Sequence, residues 1–269
     1  MIEMSTSVNV AVIGCGLAGC GVVTILKESF SALPSAPAFL IAVDDKAEVL
    51  EAAAADQKVT VKPGENSGAG VDFGQYEAVF FVLEPSETSA LTWAQVLSSA
   101  ASEKKTYTIG FVIKPSGGWP EEDKDVFGSF DGSVLIDEGW VLQARKGKDP
   151  EFAMRIVFNF IAHALTFMSE AIREGKLSRD ALYKSTFGKV SGFAATSVSQ
   201  PDTLFNMTMS KIDRPRVRSV ILFMPEDTDN IDARRTFLQV AQTLPRSMEM
   251  IALRVKYVEP FRIVALLAA

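Results

Sequence analysis

Histidine occurs once in this 269-residue chain and cysteine twice, and basic residues are outnumbered. Each scarcity removes a class of function. His163 is the single histidine, and it falls inside a long apolar stretch, so it reads as a core residue rather than a base or ligand. Cys15 and Cys20 lack metal-ligand spacing, and so low a cysteine content suits a reduced, cytoplasmic protein better than a secreted one. The formal net charge is -6, which argues against a nucleic-acid binder. The short basic clusters at Lys104-Lys105 and at residues 214–218 read as solvated surface. No uninterrupted apolar run reaches the length of a membrane span. No basic-then-apolar leader precedes Val8, which adds to the expectation of a cytoplasmic protein. There is no repeat and no low-complexity tract.

What is present is organised around residues 8–20, VNVAVIGCGLAGC. A β-branched apolar run enters a glycine-rich turn at Gly14, Gly16 and Gly19, and residues 21–27 read as the helix that follows. Strand, glycine turn and helix amino terminus together form an anion site. Free backbone N–H groups and the positive end of the helix dipole meet there. The same turn also serves plain close packing of a strand on a helix.

Strand-like and helix-like segments then alternate. Strands are expected at residues 38–43 (AFLIAV), 58–61, 77–83 (EAVFFVL), 106–113 (TYTIGFVI) and 133–136, with helices at 46–55 and 90–104. That alternation predicts a mostly parallel sheet covered on both faces. Asp44 closes the second strand, where an acid meets a ribose or caps the next helix. Residues 62–74 form a second glycine-rich loop containing Gly68 and Gly70. Residues 150–174 differ in kind, being long and apolar nearly all round, as expected of a spine between layers. Beyond them a short helix at 177–183, weak strands within 185–202, a strand at 217–224, a helix at 229–244 capped by Asp229, and two closely joined strands at 248–257 and 261–267 predict a small α+β unit. The fold class is therefore α/β: a Rossmann-like domain over 1–149, a central helix over 150–175, and a mixed α+β domain over 176–269.

This order of elements, with the residues it carries, resembles the FtsZ/tubulin family. VAVIGCGLAGC is similar to the family's first strand and phosphate loop, FLIAVDDKAEVLE to its second strand and loop, KPGENSGAG to its third loop, TYTIGFVIKPSGGW to the strand ending at the sugar-side proline, and FRIVALLA to its closing strand. The resemblance implies GTP or GDP in a cleft lined by Gly14, Cys15, Gly16, Leu17, Gly19, Asp44, Gly68, Ala69, Gly70, Ser86, Thr88, Pro115, Asp137 and Phe152. It also implies head-to-tail self-association or association with an FtsZ/tubulin-type polymer; the charge and the run lengths noted above add the expectation of no nucleic acid and no membrane span.

Two departures from the family pattern bear on chemistry. Where the family has a glycine-rich triphosphate loop, residues 84–89 read EPSETS. This brings two carboxylates toward the phosphates, and Pro85 removes an N–H donor. A carboxylate about 4 Å from a phosphate costs on the order of 4 kcal/mol at an effective dielectric near 20, unless Glu84 or Glu87 holds magnesium. In the loop where the family inserts catalytic acids beside a neighbour's triphosphate, KLSRDAL offers only Asp180, next to Arg179, its expected ion-pair partner. Capping or such a pair is the plainer role for Asp180. The expectation is a family fold with weak or absent GTP hydrolysis. The chain ends on an apolar strand, so the family's usual partner-binding tail is either lacking or lies beyond this sequence; only in the first case is it not expected to act here. Two alternatives stay open: an NAD(P)-dependent oxidoreductase, from the literal GxGxxG of residues 14–19 with Asp44 further on, and a scaffold that binds no nucleotide.

Overall fold

The computed structural model describes residues 10–30, 38–61, 70–115, 126–139, 149–186, 190–197, 218–243, 249–256 and 263–268. Ten strands form one sheet in the order β3-β2-β1-β4-β5-β6-β7-β10-β8-β9. They are β1 (Val10–Cys15), β2 (Phe39–Asp44), β3 (Gln57–Thr60), β4 (Ala78–Leu83), β5 (Tyr107–Lys114), β6 (Gly132–Asp137), β7 (Val190–Ser197), β8 (Ser219–Pro225), β9 (Glu249–Val255) and β10 (Ile263–Ala268). From β3 through β7 every pairing is parallel. Strand order reverses beside β1, the place where an open parallel sheet leaves a crevice at its carboxyl edge.

Strict alternation along the strands sorts side chains onto two covered faces. Val10 and Val12 of β1, with Phe80 and Val82 of β4, pack with α1 (Gly16–Phe30) and with the long helix over Pro150–Arg173. Ala11, Ile13 and Cys15, with Val79, Phe81 and Leu83, pack on the opposite face against Trp93, Ala94 and Leu97. Those three residues belong to the helix over Thr88–Glu103. Helices are numbered in chain order: α1, α2 (Ala47–Ala52), α3 (Thr88–Glu103), α4 (Pro150–Arg173), α5 (Arg179–Thr186) and α6 (Asn230–Thr243).

Four expectations need correction. The first helix begins at Gly16 and not five residues later, so the glycine turn is itself the first turn of α1. The two last strands are not neighbours: β10 lies antiparallel between β7 and β8, and β9 pairs parallel with β8. Strand β7 pairs with β6, so the sheet runs unbroken from the first half of the chain into the second. The spine helix is also not apolar all round. Its second half, from Ile161 to Ile172, is buried apart from His163, but in its first half Phe152, Arg155 and Asn159 are exposed. Burial lowers the basicity of the His163 imidazole, in keeping with a core role.

Capping is local and agrees with the sequence at α6, where Asp229 Oδ1 accepts from the Ile231 and Asp232 amides at 2.7 and 2.8 Å. At α5 the cap is Ser178, whose Oγ accepts from Ala181 N at 3.2 Å. Asp180 sits exposed in the first turn. Arg179 donates to the Lys105 carbonyl at 2.7 Å, so its guanidinium reaches across to the N-terminal half of the chain.

Candidate functional site

The crevice is built where β1 and β4 lie side by side, with Gly14 in register with Val82. A parallel sheet delivers the end of each strand to the same edge. The turns after β1 and after β4 therefore meet, although about 70 residues separate them. Close packing sets the geometry. A Cβ on Gly14 would collide with the Gly19 carbonyl, and one on Gly19 would collide with the Val82 carbonyl and lie 2.7 Å from the Gly14 carbonyl carbon. Gly14 and Gly19 are thus the strand–helix packing glycines. Gly16, at φ +74°, is the residue that turns the chain from β1 into α1.

The turn after β4 is equally fixed. Glu87 N donates to the Glu84 carbonyl at 3.1 Å, closing a four-residue turn with Pro85 at its second position, where a preset φ is favoured. Pro85 is buried. Ser86, at the tip, donates to Glu84 Oε1 at 2.6 Å. Glu87 then stands at the N-cap position of α3, yet its side chain does not cap that helix. It crosses to α1, where Oε2 accepts from Leu17 N at 2.8 Å and Oε1 from Ala18 N at 3.4 Å. Burial pushes the Glu87 carboxyl above its ordinary range. The two amides oppose that rise, and Glu84 and Asp44 add to it.

The other residues named from the sequence lie on separate elements, and among them Asp44 is near enough to Glu87 to raise its carboxyl. Asp44 is buried at the end of β2, and its Oδ1 accepts from Lys46 N at 2.7 Å, so one carboxylate oxygen serves the turn into α2. Asp137, at the end of β6, pairs with Lys114 Nζ at 3.1 Å. Pro115, one residue further along from Lys114, is half-buried. Phe152, in the first turn of α4, is 44% exposed. Leu17 is exposed at the lip of α1, and Thr88 opens α3. Gly70, at φ +74°, is exposed and lies next to β3, where its carbonyl accepts from Gln57 Nε2 at 3.5 Å. Gly68 and Ala69 fall outside the described residues. Asp180 lies on α5, well along the chain, and the structure shows no bond from it to this crevice.

Both cysteines are buried and free. Burial drives the Cys15 thiol well above its usual range and Cys20 up to about 12. Cys15 is therefore a packing residue of β1 and not a reactive thiol, despite its place at a helix amino terminus. Among the described residues, no group of three His, Cys, Asp or Glu side chains is placed to hold a metal ion, and no helix is long and apolar enough to cross a membrane.

The arrangement has the framework of a phosphate site: a glycine turn, a helix amino terminus and a second loop facing it at the strand-order reversal. Besides the glycine-free loop with its two carboxylates and Pro85, it departs from one in how the α1 amides are used. The two amides that a phosphate would use are already bonded to a carboxylate of the chain. The sequence showed acids in this loop but not their partner, because the contact joins residues brought together only by the β1–β4 pairing. The available signal was a carboxylate directly preceding α3 in a loop without glycine.

No protein-family model matches the sequence, and no curated protein is detectably related to it by sequence. Solved structures do match. An empty FtsZ dimer from M. jannaschii aligns over 99% of this chain and 89% of its own, with a TM-score of 0.80 at 16% identity. CetZ2 from Haloferax volcanii, in a GTPγS-bound protofilament, aligns over 97% and 92% with a TM-score of 0.74 at 15% identity. CetZ1 from the same organism, a GDP-bound monomer, aligns over 97% and 93% with a TM-score of 0.73 at 15% identity. The chain has the FtsZ/tubulin fold.

Proposed function

We propose that this chain is a self-assembling protein of the FtsZ/tubulin type with weak or absent GTP hydrolysis. It associates head to tail with its own copies or with an FtsZ-type polymer. The observation that carries the reading is the end-to-end likeness of fold, which spans nearly all of this chain and nearly all of an FtsZ dimer subunit and of a CetZ2 protofilament subunit. A head-to-tail contact is heterologous, and unless its rotation closes a ring it propagates into a filament.

The hydrolysis half of the proposal rests on two sites. Residues 176–182 contain a single carboxylate, Asp180, in an exposed position on α5, so little is available to polarise water at a neighbouring subunit. In the crevice, the loop after β4 presents Glu84 and Glu87 where a glycine-rich loop would present N–H groups. Gly14, Cys15, Gly16, Leu17, Gly19, Asp44, Gly68, Ala69, Gly70, Ser86, Thr88, Pro115, Asp137 and Phe152 remain the residues proposed to line a nucleotide, should one enter. The division into residues 1–149, 150–175 and 176–269 is likewise part of the proposal.

Assembly and turnover are read in one experiment. Purified chain is followed by sedimentation and electron microscopy with and without magnesium and GTP, while released phosphate is measured. Filaments are expected in both conditions, with phosphate release far below that of an FtsZ run in parallel. Monodisperse chain in every condition would remove the self-assembly reading, and release equal to that of the FtsZ would remove the hydrolysis reading.

A further inference from the structure

The solved relatives of this fold include nucleotide-bound ones, so the fold implies a phosphate at the amino terminus of α1. The residues present do not fit one. Leu17 N and Ala18 N, the amides that a phosphate oxygen would meet, each donate to a different oxygen of the same carboxylate. A Cβ on Gly16 would collide with Glu87 Oε2 and stand 2.7 Å from Ala90 Cβ. The bare face of Gly16 therefore admits the Glu87 side chain, in the way that glycine elsewhere admits a phosphate.

We propose that Glu87 is a resident substitute for phosphate: its carboxylate fills the anion site of α1 and keeps nucleotide phosphates out. The inference rests on the reading of an FtsZ-type cleft with weakened nucleotide chemistry, and it names the residue responsible.

Four features point the same way. The carboxylate satisfies two of the four free amides of the helix end, which otherwise need water or a ligand. A negative group there gains from the helix dipole. Glu87 forgoes capping its own helix to reach α1. Its backbone is held by the Pro85-containing turn, so the side chain starts from a fixed position beside the crevice. An incoming phosphate meets both a filled site and a like charge, with Glu84 close by. At 4 Å and an effective dielectric near 20, one such repulsion is worth on the order of a thousandfold in affinity.

The test compares the wild-type chain with Glu87→Ser, which empties the site, and Glu87→Gln, which keeps the shape and removes the charge. Glu84→Gln is the control that leaves Glu87 in place. Circular dichroism confirms folding, and the Leu17 amide resonance reports whether the contact has been lost. Calorimetric titration uses two probes, inorganic pyrophosphate for the anion site alone and magnesium–GTP for the whole nucleotide. Glu87→Ser is expected to bind pyrophosphate and GTP at least a hundredfold more tightly than wild type, with Glu87→Gln between them and Glu84→Gln near wild type. The proposal is overturned if wild type binds either probe as tightly as Glu87→Ser. It is also overturned if the folded Glu87 variants, having lost the Leu17 contact, bind neither probe. Sedimentation of wild type without nucleotide is scored separately. A chain that binds GTP tightly and assembles only with it sinks this inference and keeps the FtsZ-type reading. A chain that binds no GTP until Glu87 is replaced, yet never assembles, does the reverse.

Discussion

Phe167→Ala is expected to cost about 3–5 kcal/mol, the largest single effect anticipated in this molecule. Phe167 lies in the largely buried second half of α4 and is itself 1% exposed. Its ring stands 6.2 Å from that of Phe223 on β8, the two planes inclined at 33°. Truncation removes most of a buried aromatic and leaves a cavity whose walls are a long helix and a sheet strand, neither of which can collapse inward cheaply. A domain of this size has about 5–15 kcal/mol in total, so a large share of its stability is at stake. Urea unfolding would show the loss as a much lower midpoint. A midpoint shifted by less than about 1 kcal/mol would mean that α4 does not hold the C-terminal strands as described.

Gly19→Ala is the second. Helix propensity alone favours the alanine by about 1 kcal/mol. The contact opposes it: the new methyl would collide with the Val82 carbonyl and lie 2.7 and 2.9 Å from the Gly14 carbonyl carbon and Cα. Every one of these atoms is backbone, so no side chain can swing aside, and α1 has to lift away from β1 and β4. Overpacking of this kind costs about 1–3 kcal/mol and sometimes more. Because backbone is struck on both sides, the net expectation is a loss of about 2–3 kcal/mol despite the propensity gain. The same movement draws Leu17 N and Ala18 N away from Glu87, so faster amide exchange at the start of α1 should accompany the lower melting temperature. A variant as stable as wild type would contradict the packing of α1 on β4.

The two residues also mark how far the sequence could be read. The glycines of the first turn, the apolar runs of β1, β2, β4 and β5, and the length of α4 are local signals, and each element stands close to where its residues placed it. Asp229 capped α6 as its position suggested, because a cap bonds within its own turn. What failed was non-local. The pairing of β10 between β7 and β8, the β6–β7 junction, the reach of Arg179 to Lys105 and the crossing of Glu87 to α1 all join residues far apart in sequence, and no periodicity encodes such pairings. At α4 the composition suggested an apolar surface nearly all round, yet Phe152 is exposed, while Phe158 packs against the bare face of Gly21. At the candidate site the residue types were legible and the bond was not. Glu87 stood out as a charge that a phosphate would oppose, whereas the fold makes it the ligand of the amides that the phosphate would have used.

The central claim is that the crevice of this FtsZ-type fold is filled from within by Glu87. Mass spectrometry of the small molecules released when freshly purified chain is denatured tests it most directly. The account predicts no guanine nucleotide and no dinucleotide in stoichiometric amount. One GDP or GTP recovered per chain would contradict it.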